Sequence, residues 1–245
     1  MTARRGLCQT LYSDQGSNLK ASSKYLTEVQ NFLRNNENIT DGCAQRQISW
    51  KFNVPSAPHM GGLWEAGIKA AKYHLVRCVG DKPLTFEELN TVICKVEAIL
   101  NSRPLCPLPA SDSASEFNVL TAGHFLIGKS LTAVPEYNVE EVPITRLSRW
   151  QYLQRTSRLF WRRWSKEYLN TLQQRAKWFT SKGNLNVGDL VLIKTDNAPP
   201  CNWPLGRIEE LHPGPDGIVR CVTLRTQKNR LQRPVHKLSS LPYVN

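Results

Sequence analysis

Between Ile144 and Phe179, apolar residues recur at steps of three and four: Trp150, Leu153, Phe160, Trp161, Trp164, Tyr168, Leu172 and Ala176. That step keeps side chains on one face of a 3.6-residue helix, so the spacing predicts one long helix reaching roughly 50 Å at about 1.5 Å per residue. A stripe this rich in large aromatics must lie against other elements. Trp150, Trp161, Trp164 and Trp178 therefore read first as packing residues. Arg149, Arg155, Arg158, Arg162, Arg163 and Lys166 lie between the apolar positions. Arg158, Arg162 and Arg163 are the candidates there for contact with phosphate.

The charge of the chain is as uneven as this helix suggests. Its net formal charge is +12. Residues 1–145 hold 14 Lys/Arg and 14 Asp/Glu, whereas residues 146–245 hold 18 and 6, so the whole excess lies in the last 100 residues. A concentrated positive field favours a polyanion, because neutralised phosphates release condensed counterions. The alternative is a basic solvated surface with no specific partner.

Composition narrows the class. Hydrophobic residues make up 40% of the chain, which supports a buried core. No apolar run is long enough to span a bilayer, so no membrane partner is expected, and the basic N-terminus lacks the apolar stretch of a signal peptide. The seven cysteines, Cys8, Cys43, Cys78, Cys94, Cys106, Cys201 and Cys221, form no Cys-x-x-Cys pair. They are expected to be reduced thiols of an intracellular protein, nuclear if DNA is the partner.

Four sections follow. In residues 1–103, Cys8–Tyr12 reads as a strand ended by the turn cluster Ser13-Asp14-Gln15-Gly16. Ser22–Leu33 is an amphipathic helix and Gln47–Phe52 a strand. Pro55, Pro58, Gly61 and Gly62 mark a loop, and Leu63–Val79 and Thr85–Asn101 are helices. Thr85 and Glu88 form a capping box. Residues 104–145 are rich in Pro and Ser, end near Glu140-Glu141 and read as an irregular connector. Residues 146–180 are the basic amphipathic helix. In residues 181–245 the strands Val187–Ile193, Leu205–Leu211, Val219–Arg225 and Leu231–Val235 predict a small all-β barrel.

Two carboxylates stand out. Asp14 follows a strand in Tyr12-Ser-Asp-Gln-Gly-Ser-Asn18, and Glu65 lies in the first turn of a helix in Gly61-Gly-Leu-Trp-Glu65. Alone, Asp14 reads as an Asx turn and Glu65 as a carboxylate favoured by the helix N-terminus. Together, the two stretches resemble the second and third acidic signatures of the D-D-E integrases, and most closely the Bel/Pao class of long-terminal-repeat retrotransposons. The resemblance runs on through His124-Phe-Leu-Ile-Gly-Lys129, Arg149-Trp150, Phe160-Trp-Arg-Arg-Trp164, Val187-Gly-Asp-Leu-Val191, Trp203-Pro-Leu-Gly-Arg207 and Arg233-Pro-Val-His-Lys237.

The resemblance implies an α/β fold, a truncated ribonuclease H-like core, followed by a long helix and a small barrel. It implies that Asp14 and Glu65 are catalytic carboxylates binding Mg²⁺, a hard cation that takes oxygen ligands and assists in-line displacement at a phosphodiester. It also implies that Lys69 and Lys72, four and seven residues after Glu65 on the same helical face, contact DNA. Their alternative is a surface Glu–Lys pair. Arg207, Arg233 and Lys237 fall in the tail motifs and are expected to bind nucleic acid, duplex DNA with little sequence specificity.

The family's first Asp is missing. Only 13 residues precede Asp14 and none is acidic. The chain is therefore expected to lack strand transfer on its own. It would need the rest of an integrase as partner, with homo-oligomers also open. A second reading is a host-retained, non-enzymatic remnant that binds DNA or RNA. A third, a nuclease with Glu97 as substitute ligand, is weaker, because Glu97 sits mid-helix among apolar residues.

Overall fold

The computed structural model describes residues 8–34, 49–54, 62–109, 117–173, 185–196 and 198–242. The chain divides into two compact units, Met1–Ala71 and Lys72–Asn245. Helices and strands are mixed throughout.

In the first unit, strand β1 (Thr10–Ser13) leads into helix α1 (Ser17–Arg34) and strand β2 (Ser49–Phe52), with helix α2 (Gly62–Val79) beginning at its end. β1 and β2 are parallel, Leu11 opposite Trp50. The Trp50 indole N–H donates to Ser13 Oγ at 2.8 Å and its ring stacks on Phe52 at 5.8 Å. Among the described residues of this unit only Ser13 is buried, while Tyr12, Tyr25, Phe32 and Val54 are exposed. The predicted strand residues Gln47 and Ile48, and the loop Pro55, Pro58 and Gly61, lie outside the described residues.

The second unit continues with α3 (Phe86–Asn101), β3 (Pro104–Pro107), β4 (Val119–Thr121), α4 (His124–Ile127) and α5 (Arg149–Leu172). Five strands follow: β5 (Leu190–Ile193), β6 (Leu205–Pro213), β7 (Val219–Arg225), β8 (Arg230–Pro234) and β9 (Leu238–Ser240). The capping box at Thr85 and Glu88 is present. The connector is less irregular than expected: β3 and β4 form an antiparallel ladder. The prolines at Pro104 and Pro107 hide this strand in the sequence, because they occupy its ends, where a missing N–H costs little.

The long helix is shorter than its periodicity predicts. Ile144–Arg146 form a 3-10 turn after Pro143. Ser148 then caps α5, accepting the Gln151 N–H while the Gln151 side chain accepts the Ser148 N–H. At the other end Gln173 leaves the helix in an extended conformation. Its amide donates to Leu238 O at 2.8 Å and His236 O at 3.1 Å, tying the helix end to β9. The 24 residues of α5 span about 36 Å. Ala176 and Trp178 lie outside the described residues. Trp161 and Trp164 are buried as expected, but Trp150 is exposed, with the Lys95 ammonium 4.9 Å from its ring centre.

The strands β5 to β9 form an antiparallel sheet in the order β8-β7-β6-β5-β9. It is not the closed barrel expected. Pro234 ends β8 and a 3-10 turn at Val235–Lys237 carries the chain to β9, so no ladder joins these sequence neighbours among the described residues. One face holds a core of Val191, Ile193, Ile208, Val222, Leu224 and Leu238, with Leu231 of β8 partly buried against it. The two outermost strands thus share one core, and the sheet coils around it. The other face of β5, Leu190 and Leu192, packs with Leu169 of α5, Phe117 and Leu241. β5 is consequently buried at every position, which explains its unbroken apolar Leu-Val-Leu-Ile. Gly206 of β6 sits where a Cβ would come 3.1 Å from Ile193 Cδ1 and 3.4 Å from Leu224 Cβ.

Trp203, in the loop before β6, joins these layers. Its ring meets Trp161, Trp164 and Tyr168 edge-on at 4.7, 6.0 and 5.5 Å. Its indole N–H donates to Ser102 Oγ at 3.1 Å. Trp203→Ala is expected to cost about 3 kcal/mol, and Gly206→Val about 2 kcal/mol through overpacking of the sheet core. Both losses are measurable as falls in the midpoint of denaturant unfolding.

Candidate nucleic-acid interface

The structure sorts the basic residues of the tail into two kinds. Several are bound to protein oxygen. Arg158 Nε lies 3.3 Å and Arg162 Nη1 2.6 Å from the two carboxylate oxygens of Glu140. Arg155 donates to Val142 O at 3.1 Å. Three arginines on one face of α5 thus clamp the acidic end of the connector, while Glu136 of the connector takes Lys95 at 2.6 Å. Arg158 and Glu140 are mostly buried, at 15% and 16% side-chain exposure, which marks Arg158 as part of a packed ion pair. Arg149 pairs with Glu88, and each group stabilises the charged form of the other: the Glu88 carboxyl falls below its usual range and the Arg149 guanidinium rises.

On the sheet, Arg225 and Arg230 lie 3.1 and 2.8 Å from Glu209. Arg220 pairs with Asp216, whose carboxyl is pulled down to about 2 by that guanidinium. Arg207 donates to Gly188 O at 2.7 Å. Gly188 adopts φ +93°, a left-handed conformation that suits glycine.

The exposed cations of the tail with no carboxylate partner among the described residues are Arg146, Arg163, Lys166, Lys228, Arg233 and Lys237. Of the expected phosphate contacts, Arg163, Arg233 and Lys237 therefore present exposed side chains. Arg158, Arg162 and Arg207 are engaged in holding the fold. Arg163 stands beside the buried thiol of Cys78, whose pKa is pushed up by burial against the opposing pull of Arg163 and Arg162.

A basic site that sequence reasoning missed lies where α5 meets β5 and β9. Lys194, just after β5, donates to Asn170 Oδ1 at 2.8 Å and Gln173 Oε1 at 3.0 Å. Burial, and then the positive charges of Lys166 and Lys237, lower its pKa. No motif announces this group, because its members come from three separated segments.

In the first unit Asp14 is exposed, and its Oδ1 accepts the Gly16 N–H at 2.9 Å, an Asx turn. Glu65 is exposed in the first turn of α2. Lys69 and Lys72 are exposed on that helix. No hydrogen bond or ion pair joins Asp14 to Glu65, nor Glu65 to Lys69, among the described residues. Nor do these contain a group of three or more His, Cys, Asp or Glu side chains that could hold a metal ion. Glu97 is half-buried in the middle of α3.

The six cysteines among the described residues, Cys8, Cys78, Cys94, Cys106, Cys201 and Cys221, are free thiols. No described helix is long and apolar enough to cross a membrane.

A model for a family of unknown function (DUF5641) matches residues 148–241. The match begins at the Ser148 cap of α5 and ends just after β9, so it spans the helix and the sheet that packs on it. No curated protein matches the chain.

Arg158→Gln should lower stability by about 2 kcal/mol, because it leaves part of the Glu140 charge unpaired in a mostly buried setting. It should leave the salt dependence of DNA binding unchanged. A reduced salt slope with unchanged thermal stability would make Arg158 a phosphate contact instead.

Proposed function

We propose that this chain is an integrase-derived nucleic-acid-binding protein of the Bel/Pao retrotransposon type, its basic tail gripping the backbone of duplex DNA. The observation that carries this reading is the division of the tail's cations. Arg158 and Arg162 are taken up by Glu140 of the connector and Arg225 and Arg230 by Glu209, whereas a separate set of exposed cations has no carboxylate partner among the described residues. Such a surface attracts phosphate irrespective of base sequence.

Ancestral strand transfer is part of the same reading. Asp14 and Glu65, in their motif contexts, are the residues that would contribute oxygen ligands to Mg²⁺, and Lys69 and Lys72 would bind DNA beside Glu65. Bound Mg²⁺ would stabilise the attacking and leaving oxygens at the phosphodiester. The family resemblance implies a further Asp as the third acidic ligand. A second reading is a host-retained, non-enzymatic binding protein that uses the same basic tail.

Binding of the full chain to a random-sequence duplex across a salt series tests the reading. With about six phosphate contacts, affinity should fall roughly 10³-fold between about 50 and 200 mM salt. No binding at low salt would remove the nucleic-acid role. The chain alone should join no DNA strands with Mg²⁺ present. Fusion to upstream core strands carrying the family's first Asp should produce joining, and Glu65→Gln should abolish that gain. Failure of the fusion to join DNA would leave the non-enzymatic form.

A further inference from the structure

The Lys194 site carries one step more, resting on the nucleic-acid reading above. An ammonium has three N–H donors. Two of those on Lys194 are directed at neutral amide oxygens, Asn170 Oδ1 and Gln173 Oε1. The Gln173 amide is itself fixed by its donation to the backbone oxygens of His236 and Leu238. The Lys194 backbone is fixed too, its N–H donating to Lys237 O at 2.8 Å. The ammonium is thus positioned at both ends of its side chain, yet no carboxylate among the described residues pairs with it. Lys166 of α5 and Lys237 before β9 add two further positive charges close enough to disfavour its protonated form.

Three like charges gathered without a counter-ion cost free energy, and a packed fold normally places a carboxylate among them. Here the two positions nearest Lys194 hold Asn and Gln, which orient its donors but leave its charge available. An oxyanion could accept the third donor of Lys194 while the charges of Lys166 and Lys237 attract it. Lysine suits phosphate as a point charge. A carboxylate offers only two oxygens, and the exposed cations elsewhere on this unit suit a ligand that repeats its charge. We infer that Lys194, held by Asn170 and Gln173 between Lys166 and Lys237, is a seat for one backbone phosphate of the bound nucleic acid. It would set where the strand crosses the junction of helix and sheet, while the other exposed cations act at longer range.

Duplex binding by the full chain is measured over a salt series for wild type and four variants: Lys194→Gln, Lys194→Met, Asn170→Asp and Lys24→Gln. Among the described residues Lys24 pairs with Glu28 on α1, so Lys24→Gln reports the effect of losing one charge outside the proposed seat. Lys194→Gln and Lys194→Met should weaken binding roughly tenfold, the scale of one charged hydrogen bond, and reduce the log–log salt slope by about 0.9, one phosphate. Asn170→Asp places an anion against Lys194 and should weaken binding at least as much. Its thermal midpoint should not fall, which separates occlusion of the seat from unfolding. Lys24→Gln should change neither affinity nor slope.

Steep salt-dependent binding by wild type with Lys194→Gln and Asn170→Asp unchanged would overturn the seat and leave the nucleic-acid reading standing. Absence of duplex binding by wild type would overturn both. Binding to phosphatidylserine vesicles that exceeds duplex binding at equal phosphate, and is lost in Lys194→Gln, would make the seat a headgroup site and overturn its assignment to nucleic acid.

Discussion

The second unit is organised around one indole. Trp203 comes from a loop between two strands, yet its ring lies among Trp161, Trp164 and Tyr168 of α5 and its N–H reaches Ser102 at the end of α3. Trp161 in turn donates to Ala198 O in the same loop, and the Tyr168 hydroxyl donates to Pro104 O of β3. Helix, connector ladder and sheet are therefore fixed through edge-to-face aromatic contacts with satisfied polar ends, which combine large apolar burial with defined geometry. Burial also raises the Tyr168 hydroxyl to about 12, so it stays neutral and a donor across the physiological range.

Because α5 is shared by every layer, its faces do different work. Phe160, Trp161 and Trp164 are buried. Arg155, Arg158 and Arg162 hold the connector. The last turns meet the sheet through Leu169, whose carbonyl accepts the Ser239 hydroxyl at 2.9 Å. Arg163 and Lys166 are exposed and have no carboxylate partner among the described residues. A helix read as a basic rod is thus largely a structural strut with a narrower basic face. That narrowing shifts the expected weight of binding toward the junction with β5 and β9, where Lys194 and Lys237 join Lys166.

The first unit contrasts with this. Its described part is a two-stranded parallel ladder, a helix with exposed aromatics and one buried residue. Two strands cannot bury an apolar face by themselves, and parallel strands ordinarily have both faces covered. Asp14 and Glu65 are presented on the elements their motifs predict, a strand end and a first helical turn.

Local signals in the sequence were legible because they depend on neighbours along the chain. Thr85 and Glu88 cap α3 as read, Val219–Arg225 is a strand over the range its alternation and flanking turns suggest, and Trp161 and Trp164 are buried by helical spacing. The concentration of charge after residue 146 is likewise a property of the chain alone. What the sequence could not reveal depends on partners far along it. Arg158 and Arg163 look alike in the motif Arg158-Leu-Phe-Trp-Arg-Arg163, but only Arg158 meets Glu140. β9 is three residues long and exists through its pairing with β5. The end of α5 is set by Gln173 reaching β9 rather than by a cap residue in sequence. Lys194 became a candidate site only when Asn170, Gln173, Lys166 and Lys237 were brought around it. Pattern and charge follow from covalent order, whereas which charges are compensated is an electrostatic question answered by distance in the folded chain.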